Sequence, residues 1–166
     1  MATNENIQAW IGYAYVAAQC SDDRSTKNGA VLIDPDYNAA RAVGFNHFLE
    51  GYGNLETHHE RPFKYWITEH AERDVILTAA KHGLSTEGMW MAANWVACPD
   101  CARAIVLAGI TRVFTHKQCQ DRTPERWDEM VSAGLDILRW GGVEVVLFDG
   151  KIGGVDNLNN GEIWYP

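Results

Sequence analysis

Two short segments hold residues fit for metal-assisted chemistry: His70-Ala71-Glu72 and, 26 positions past the glutamate, Cys98-Pro99-Asp100-Cys101. One imidazole and two thiolates are donors suited to Zn²⁺, and three such ligands leave a tetrahedral ion one position for water. Glu72, next but one to the histidine, is free to move protons instead of binding metal. Zinc brings the pKa of bound water near 7, and a glutamate beside it can shuttle protons during hydrolytic removal of an amino group from a nucleobase. Either segment alone is a weak signal; the two together are specific. The structural alternative is a closed site, with Cys119 as fourth ligand in a Cys₃His set or His116 in a Cys₂His₂ set. A purely structural site has no use for Glu72, which favours the catalytic reading.

These residues need elements to hold them. Ile7, Trp10, Ile11, Ala14 and Ala18 recur at helical spacing, so a helix is expected over about 5–19. Residues 29–33 form a short apolar run, Asp34-Pro35-Asp36 turns it, and residues 41–45 return as the second strand of a hairpin. Residues 47–63 read as an irregular loop. A helix is expected from about Thr68 to His82, ended by Gly83, and a strand over 90–93. Pro99 suits the first turn of a helix that runs to Ala108 and stops at Gly109; residues 112–115 read as a strand. Thr123 as N-cap and Pro124 at the first helical position open another helix, which runs to about Ala133 or a little beyond. Residues 143–148 are the last clear strand, and the Gly- and Asn-rich tail 149–166 ends in Ile-Trp-Tyr-Pro, aromatics that could dock it. The order predicts an α/β fold, a mixed five-stranded sheet with helices on its faces, in one domain over 1–166. His70 then falls in the first turn of one helix and Cys98 and Cys101 open another. Partial positive charge at helix N-termini favours thiolates, and Cys-x-x-Cys spans about one turn.

Composition bounds the function. Apolar residues make up 46% and charged residues 22% of 166 positions, ordinary for a globular protein. No apolar run approaches the roughly 18–20 residues of a membrane span, and the N-terminus lacks a signal-peptide layout, so a cytoplasmic protein without membrane association is expected. A net charge of −8 argues against a polymeric nucleic acid partner, whose phosphates demand neutralising cations. A single phosphate needs only a few local ones: Arg24, Lys27, Arg61 and Lys64 are candidates, with solvated surface charge the bland alternative for each. Trp95 offers a face for base stacking or simply packs in the core. Cys20 and Cys119 are expected to be unpaired thiols.

With these motifs in view, the chain resembles the zinc-dependent cytidine/deoxycytidylate deaminase family, most closely the deoxycytidylate (dCMP) deaminases. The resemblance runs over about residues 7–115. It rests on Ser21-Asp-Asp-Arg-Ser-Thr-Lys27-Asn-Gly-Ala-Val-Leu, Gly44-Phe-Asn46, Arg61-Pro-Phe-Lys64-Tyr65, His70-Ala-Glu-Arg73, Cys98-Pro-Asp-Cys-Ala-Arg-Ala-Ile105 and Ala108-Gly-Ile110. It implies the three-layer α-β-α fold of cytidine deaminases and conversion of dCMP to dUMP and ammonia for thymidylate supply. It also implies a homo-oligomer, with Zn²⁺ on His70, Cys98 and Cys101 and Glu72 as proton shuttle. Asn46 would contact sugar or base, and Ser25 and Lys27 would lie near the 5′-phosphate. Lys64, Ala71 and Trp95 complete the expected substrate contacts. Two departures stand out. Ala97 replaces the proline that usually precedes the first cysteine. The segment tied in the family to dCTP and dTTP control, Gly-Tyr-Asn-Gly-x-Pro-x-Gly, is here Gly44-Phe-Asn-His47-Phe-Leu-Glu-Gly51. Its second glycine and proline are gone, so the resemblance does not bring nucleotide regulation with it. The remaining cysteines and histidines suggest no second zinc site. The rival readings are another nucleobase deaminase, acting on tRNA adenosine, guanine or free cytosine, and a non-catalytic zinc-stabilised interaction domain.

Overall fold

The computed structural model describes residues 2–49 and 56–166; positions 50–55 of the expected loop, with Gly51, lie outside them. The chain opens with α1 (Asn4–Ala18), which Thr3 caps by accepting from Asn6 N while the Asn6 side chain accepts from Thr3 N. Strands β1 (Gly29–Asp34), β2 (Ala39–Phe45) and the two-residue β3 (His47–Phe48) follow. After a 3₁₀ turn at Glu56–His59 come α2 (Lys64–Ile67), β4 (Thr68–Glu69), α3 (Ala71–Lys81), β5 (Trp90–Ala93) and α4 (Pro99–Leu107). Next are β6 (Arg112–His116), α5 (Lys117–Gln120), a 3₁₀ turn at Glu125–Trp127, α6 (Asp128–Trp140), β7 (Glu144–Phe148), β8 (Asn157–Asn159) and β9 (Glu162–Trp164). No helix among the described residues is long and apolar enough to cross a membrane.

The main sheet has the order β2-β1-β5-β6-β7. β1 is antiparallel to both β2 and β5, whereas β5, β6 and β7 run parallel, so the expected mixed five-stranded sheet is present. Alternate residues of the inner strands go to opposite faces. Leu32, Met91 and Val113 join Val75, Ile105 and Leu138 beneath α3, α4 and α6. Val31, Ile33, Ala92 and Phe114 meet Ile7, Trp10, Ile11 and Tyr15 of α1 on the other side. Burial on both faces is why β1 reads as an unbroken apolar run rather than an alternating one. Each such side chain contributes roughly 1.5–3 kcal/mol when fully buried.

Three expectations shift. The helix expected from Thr68 begins at Ala71, because the Thr68 hydroxyl donates to Lys64 O and closes the short α2, after which Thr68 and Glu69 pair as β4 with β3. The helix expected from Thr123 begins at Asp128 after a 3₁₀ turn, and the Thr123 hydroxyl instead accepts from Trp95 Nε1 at 2.9 Å. The tail forms the β8–β9 hairpin, docked by a buried Trp164.

β2 passes under α3 so closely that a Cβ on Gly44 would lie 2.5 Å from Val75 N and 2.6 Å from Ala71 O. Both are backbone atoms that cannot step aside alone. Gly44→Ala is therefore expected to lower stability by about 1–3 kcal/mol in urea unfolding and to loosen the start of α3. An unchanged midpoint would contradict this packing.

Candidate functional site

Two helix N-termini meet where parallel strand β5 ends, the crevice position favoured for sites in open α/β sheets. Cys98 is the N-cap of α4, with Pro99 in the first turn, and Cys101 lies one turn on, fully buried. His70 is the N-cap of α3, one residue outside the first turn where the spacing put it, with extended backbone (φ −91, ψ 148). His70 Nδ1 lies 3.5 Å from Cys98 Sγ and 3.5 Å from Cys101 Sγ. The three donor atoms all fall within 4.8 Å of one another, and among the described residues no other such cluster of metal-binding side chains occurs.

The donor set fits zinc by its own dimensions. Tetrahedral bonds of about 2.3 Å to sulfur and about 2.0–2.1 Å to nitrogen set N···S edges of about 3.5–3.6 Å, the spacing the side chains already hold. The three donor groups shift one another's protonation. A hydrogen bond from the Cys101 thiol, aided by the His70 ring and opposed by burial, holds the Cys98 thiol down to about 4. The same bond and burial push the Cys101 thiol up. Burial pulls His70 down, but its bond to Cys98 and the charges of Glu72 and Cys98 outweigh that and raise it.

The fourth-ligand candidates lie elsewhere. His116 and Cys119 belong to the core on the α1 face of the sheet. His116 Nε2 donates to Gly150 O at 2.9 Å, and its Nδ1 accepts from the Tyr15 hydroxyl at 2.8 Å. Burial pushes the Cys119 thiol up to about 12. Neither closes the site.

Glu72, in the first turn of α3, is 7% exposed and lines a pocket with His70, Ala71 and Cys98. Burial raises its carboxyl above the ordinary carboxylate range. Of the other expected contacts, Asn46, Ser25, Lys64 and Trp95 line the same pocket. Asn46 is also a structural tie: its Oδ1 accepts from Asn28 N at 2.7 Å and its Nδ2 donates to Thr26 O at 2.8 Å. Lys64 is buried in an ion pair with Asp23 at 2.9 Å, so its charge is already matched. Asp23 in turn accepts from Ser25 N and Thr26 N, which sets the pocket wall over 23–28. Lys27 is not among the lining residues; its Nζ donates to Gln19 O at 3.3 Å. Arg24 pairs with Glu56 on the surface, outside the lining. Arg61 lines the pocket with no ion-pair partner among the described residues.

The pocket also contains residues that sequence reasoning passed over: Asn28, Tyr65, Arg126, Trp127, Asn159 and Asn160. Tyr65 meets Trp127 edge to face at 5.4 Å, forming an aromatic side wall. Arg126 and the two asparagines reach the pocket from the last third of the chain, where no motif announced them.

Residues 4–117 match the family described as the cytidine and deoxycytidylate deaminase zinc-binding region. An uncharacterized deaminase in the luxG 3′ region of Aliivibrio fischeri is 35% identical over 132 residues, covering 80% of this chain and 86% of that protein. The deoxycytidylate deaminase of Enterobacteria phage T4 is 36% identical over 94 residues, covering 55% of this chain; the match spans only 45% of the phage protein's own length. Among solved structures, the dCMP deaminase of cyanophage S-TIM5 in complex with dCMP and dUMP superposes with a TM-score of 0.70 at 26% identity. That match covers 89% of this chain and 99% of the phage chain.

Proposed function

The chain belongs to the cytidine and deoxycytidylate deaminase family, and from that premise we propose that it hydrolyses dCMP to dUMP and ammonia. One observation carries the reading. A single pocket is lined by the His70–Glu72–Cys98 group and also by Ser25 and Arg61, which has no ion-pair partner among the described residues. A cytosine ring fits the first and a phosphate the second. The phage relatives that bear the name deoxycytidylate deaminase support the same substrate class.

His70, Cys98 and Cys101 would hold Zn²⁺, which when bound supplies a Lewis acid that makes water acidic enough to be deprotonated near neutral pH. Glu72 takes the water's proton and passes it to ring N3 of the cytosine. A C4–O bond forms as the ring C4–N3 double bond opens. Glu72 then carries the proton of the new C4 hydroxyl to the exocyclic amine, the C4–N bond breaks as the C4=O bond forms, and ammonia leaves. The side wall of Tyr65 and Trp127 shelters the ring from bulk water, which strengthens every charge interaction at C4.

Ammonia release measured across cytosine, deoxycytidine, dCMP, dCTP and guanine tests the assignment. The expected result is a kcat/KM for dCMP at least about tenfold above that for deoxycytidine, since one charge-assisted phosphate contact is worth about 1.5–3 kcal/mol. Equal rates on the two would remove the monophosphate from the reading, and preference for guanine would remove cytosine as well.

A further inference from the structure

We propose that the C-terminal hairpin is a specificity element of this pocket: the β8–β9 turn aims the Arg126 guanidinium at the substrate's phosphate. The inference rests on the dCMP reading and deepens it.

The hairpin is bound to the wall of the pocket. Lys27 N donates to Leu158 O at 2.9 Å, Asn160 N to the Thr26 hydroxyl at 3.0 Å, and Gly161 N to Ser25 O at 2.7 Å. Asn157 Nδ2 adds a bond to Lys27 O at 3.1 Å. Its far end is clamped. Trp164 stacks on His116 at 5.9 Å, meets Tyr15 edge to face, and has the Arg122 guanidinium 4.5 Å from its ring. A hairpin held at both ends presents its turn residues at fixed positions.

What the turn presents is an acceptor for an arginine. Asn160, at φ 51, receives Arg126 Nη2 on its Oδ1 at 3.1 Å. Arg126 has no ion-pair partner among the described residues, although acidic side chains outnumber basic ones by 22 to 14 in the chain. An aspartate at 160 would neutralise the guanidinium; the neutral amide orients it and leaves its charge for an anion. A planar guanidinium with several N–H groups suits a phosphate's oxygens. A shallower depression shares Ser25, Arg61, Lys64 and Asn160 with the main pocket, and His59 and Glu60 border it. Arg126 and the hairpin both lie beyond residues 4–117, the part that the family model matches, and reach the pocket wall that Ser25 and Arg61 also line.

The experiment compares dCMP with deoxycytidine in the zinc-loaded full chain and in Arg126→Ala, Asn160→Asp and Asn160→Gly. Arg126→Ala and Asn160→Asp are expected to lower the dCMP:deoxycytidine ratio of kcat/KM by about tenfold or more, mainly through KM for dCMP. Asn160→Gly suits the positive φ and removes only the amide, so a smaller fall in the same direction is expected. Arg126→Lys should restore part of the ratio, because a point charge remains. A wild type that prefers dCMP, with the ratio unmoved in Arg126→Ala and Asn160→Asp, overturns the hairpin inference alone. A wild type without that preference overturns the dCMP reading and this inference with it.

Discussion

Glu72→Gln is expected to abolish ammonia release from dCMP, lowering kcat/KM by at least about 10³–10⁴-fold, while the protein still folds and binds zinc. The size follows from the number of times one carboxylate is used. A positioned acid or base contributes about 10²–10⁴-fold. In the proposed mechanism Glu72 serves both as base toward water and as acid toward the ring and the leaving amine. Glutamine matches its shape and reaches the same place on α3, but it neither accepts nor releases that proton. The fold should tolerate the change, because Glu72 is nearly buried and a neutral amide is less costly there than an unpaired carboxylate. Zinc content should hold too, since the clustered donors are His70, Cys98 and Cys101. Activity within tenfold of wild type in a zinc-loaded Glu72→Gln protein would strip the residue of its role.

The legible part of the site was the part whose chemistry is local. Cys98 and Cys101 sit one turn apart at the start of the same helix, and Glu72 lies two residues past the His70 N-cap, so spacing alone points to them. The sheet was legible for a similar reason: β1 and β5 hold apolar runs buried on both faces. What spacing does not carry is set by other parts of the chain. Lys27 and Lys64 have the right type for a phosphate, but a Gln19 carbonyl and the Asp23 carboxylate, 8 and 41 positions away, take their ammonium groups. Thr123-Pro124 looks like a helix start, yet Trp95, 28 positions earlier, takes the threonine's hydroxyl.

The hairpin was hidden for another reason. β8 and β9 are three residues each in a Gly- and Asn-rich stretch, too short for any period to show. Its stability comes from Trp164 against Tyr15 and His116, a contact across the whole chain. The aromatic end of the tail did signal docking, but not that the docked segment would place Asn160 beside Arg126.

Cys101→Ser is expected to empty the metal site and take activity below detection, whereas Cys119→Ser keeps both. Three protein ligands are few, and a serine hydroxyl, neutral at physiological pH, is a poor substitute for a thiolate on zinc. The loss should also reach stability. His70, Cys98 and Cys101 tie the starts of α3 and α4 together, and metal binding free energy counts as folding free energy when the unfolded chain has no preformed site. A chelator should therefore lower the unfolding midpoint of the wild type but leave that of Cys101→Ser unmoved. Cys119 is the matched control, also a buried free thiol, but on the α1 face of the sheet. Its thiol, pushed up to about 12 by burial, is a poor metal ligand there. Zinc measured by elemental analysis in the two purified variants separates an open three-ligand site from a closed four-ligand one. Zinc lost from Cys119→Ser would make the site closed and structural. Zinc retained there, with activity, leaves the fourth position to water, which is what a hydrolytic deaminase needs.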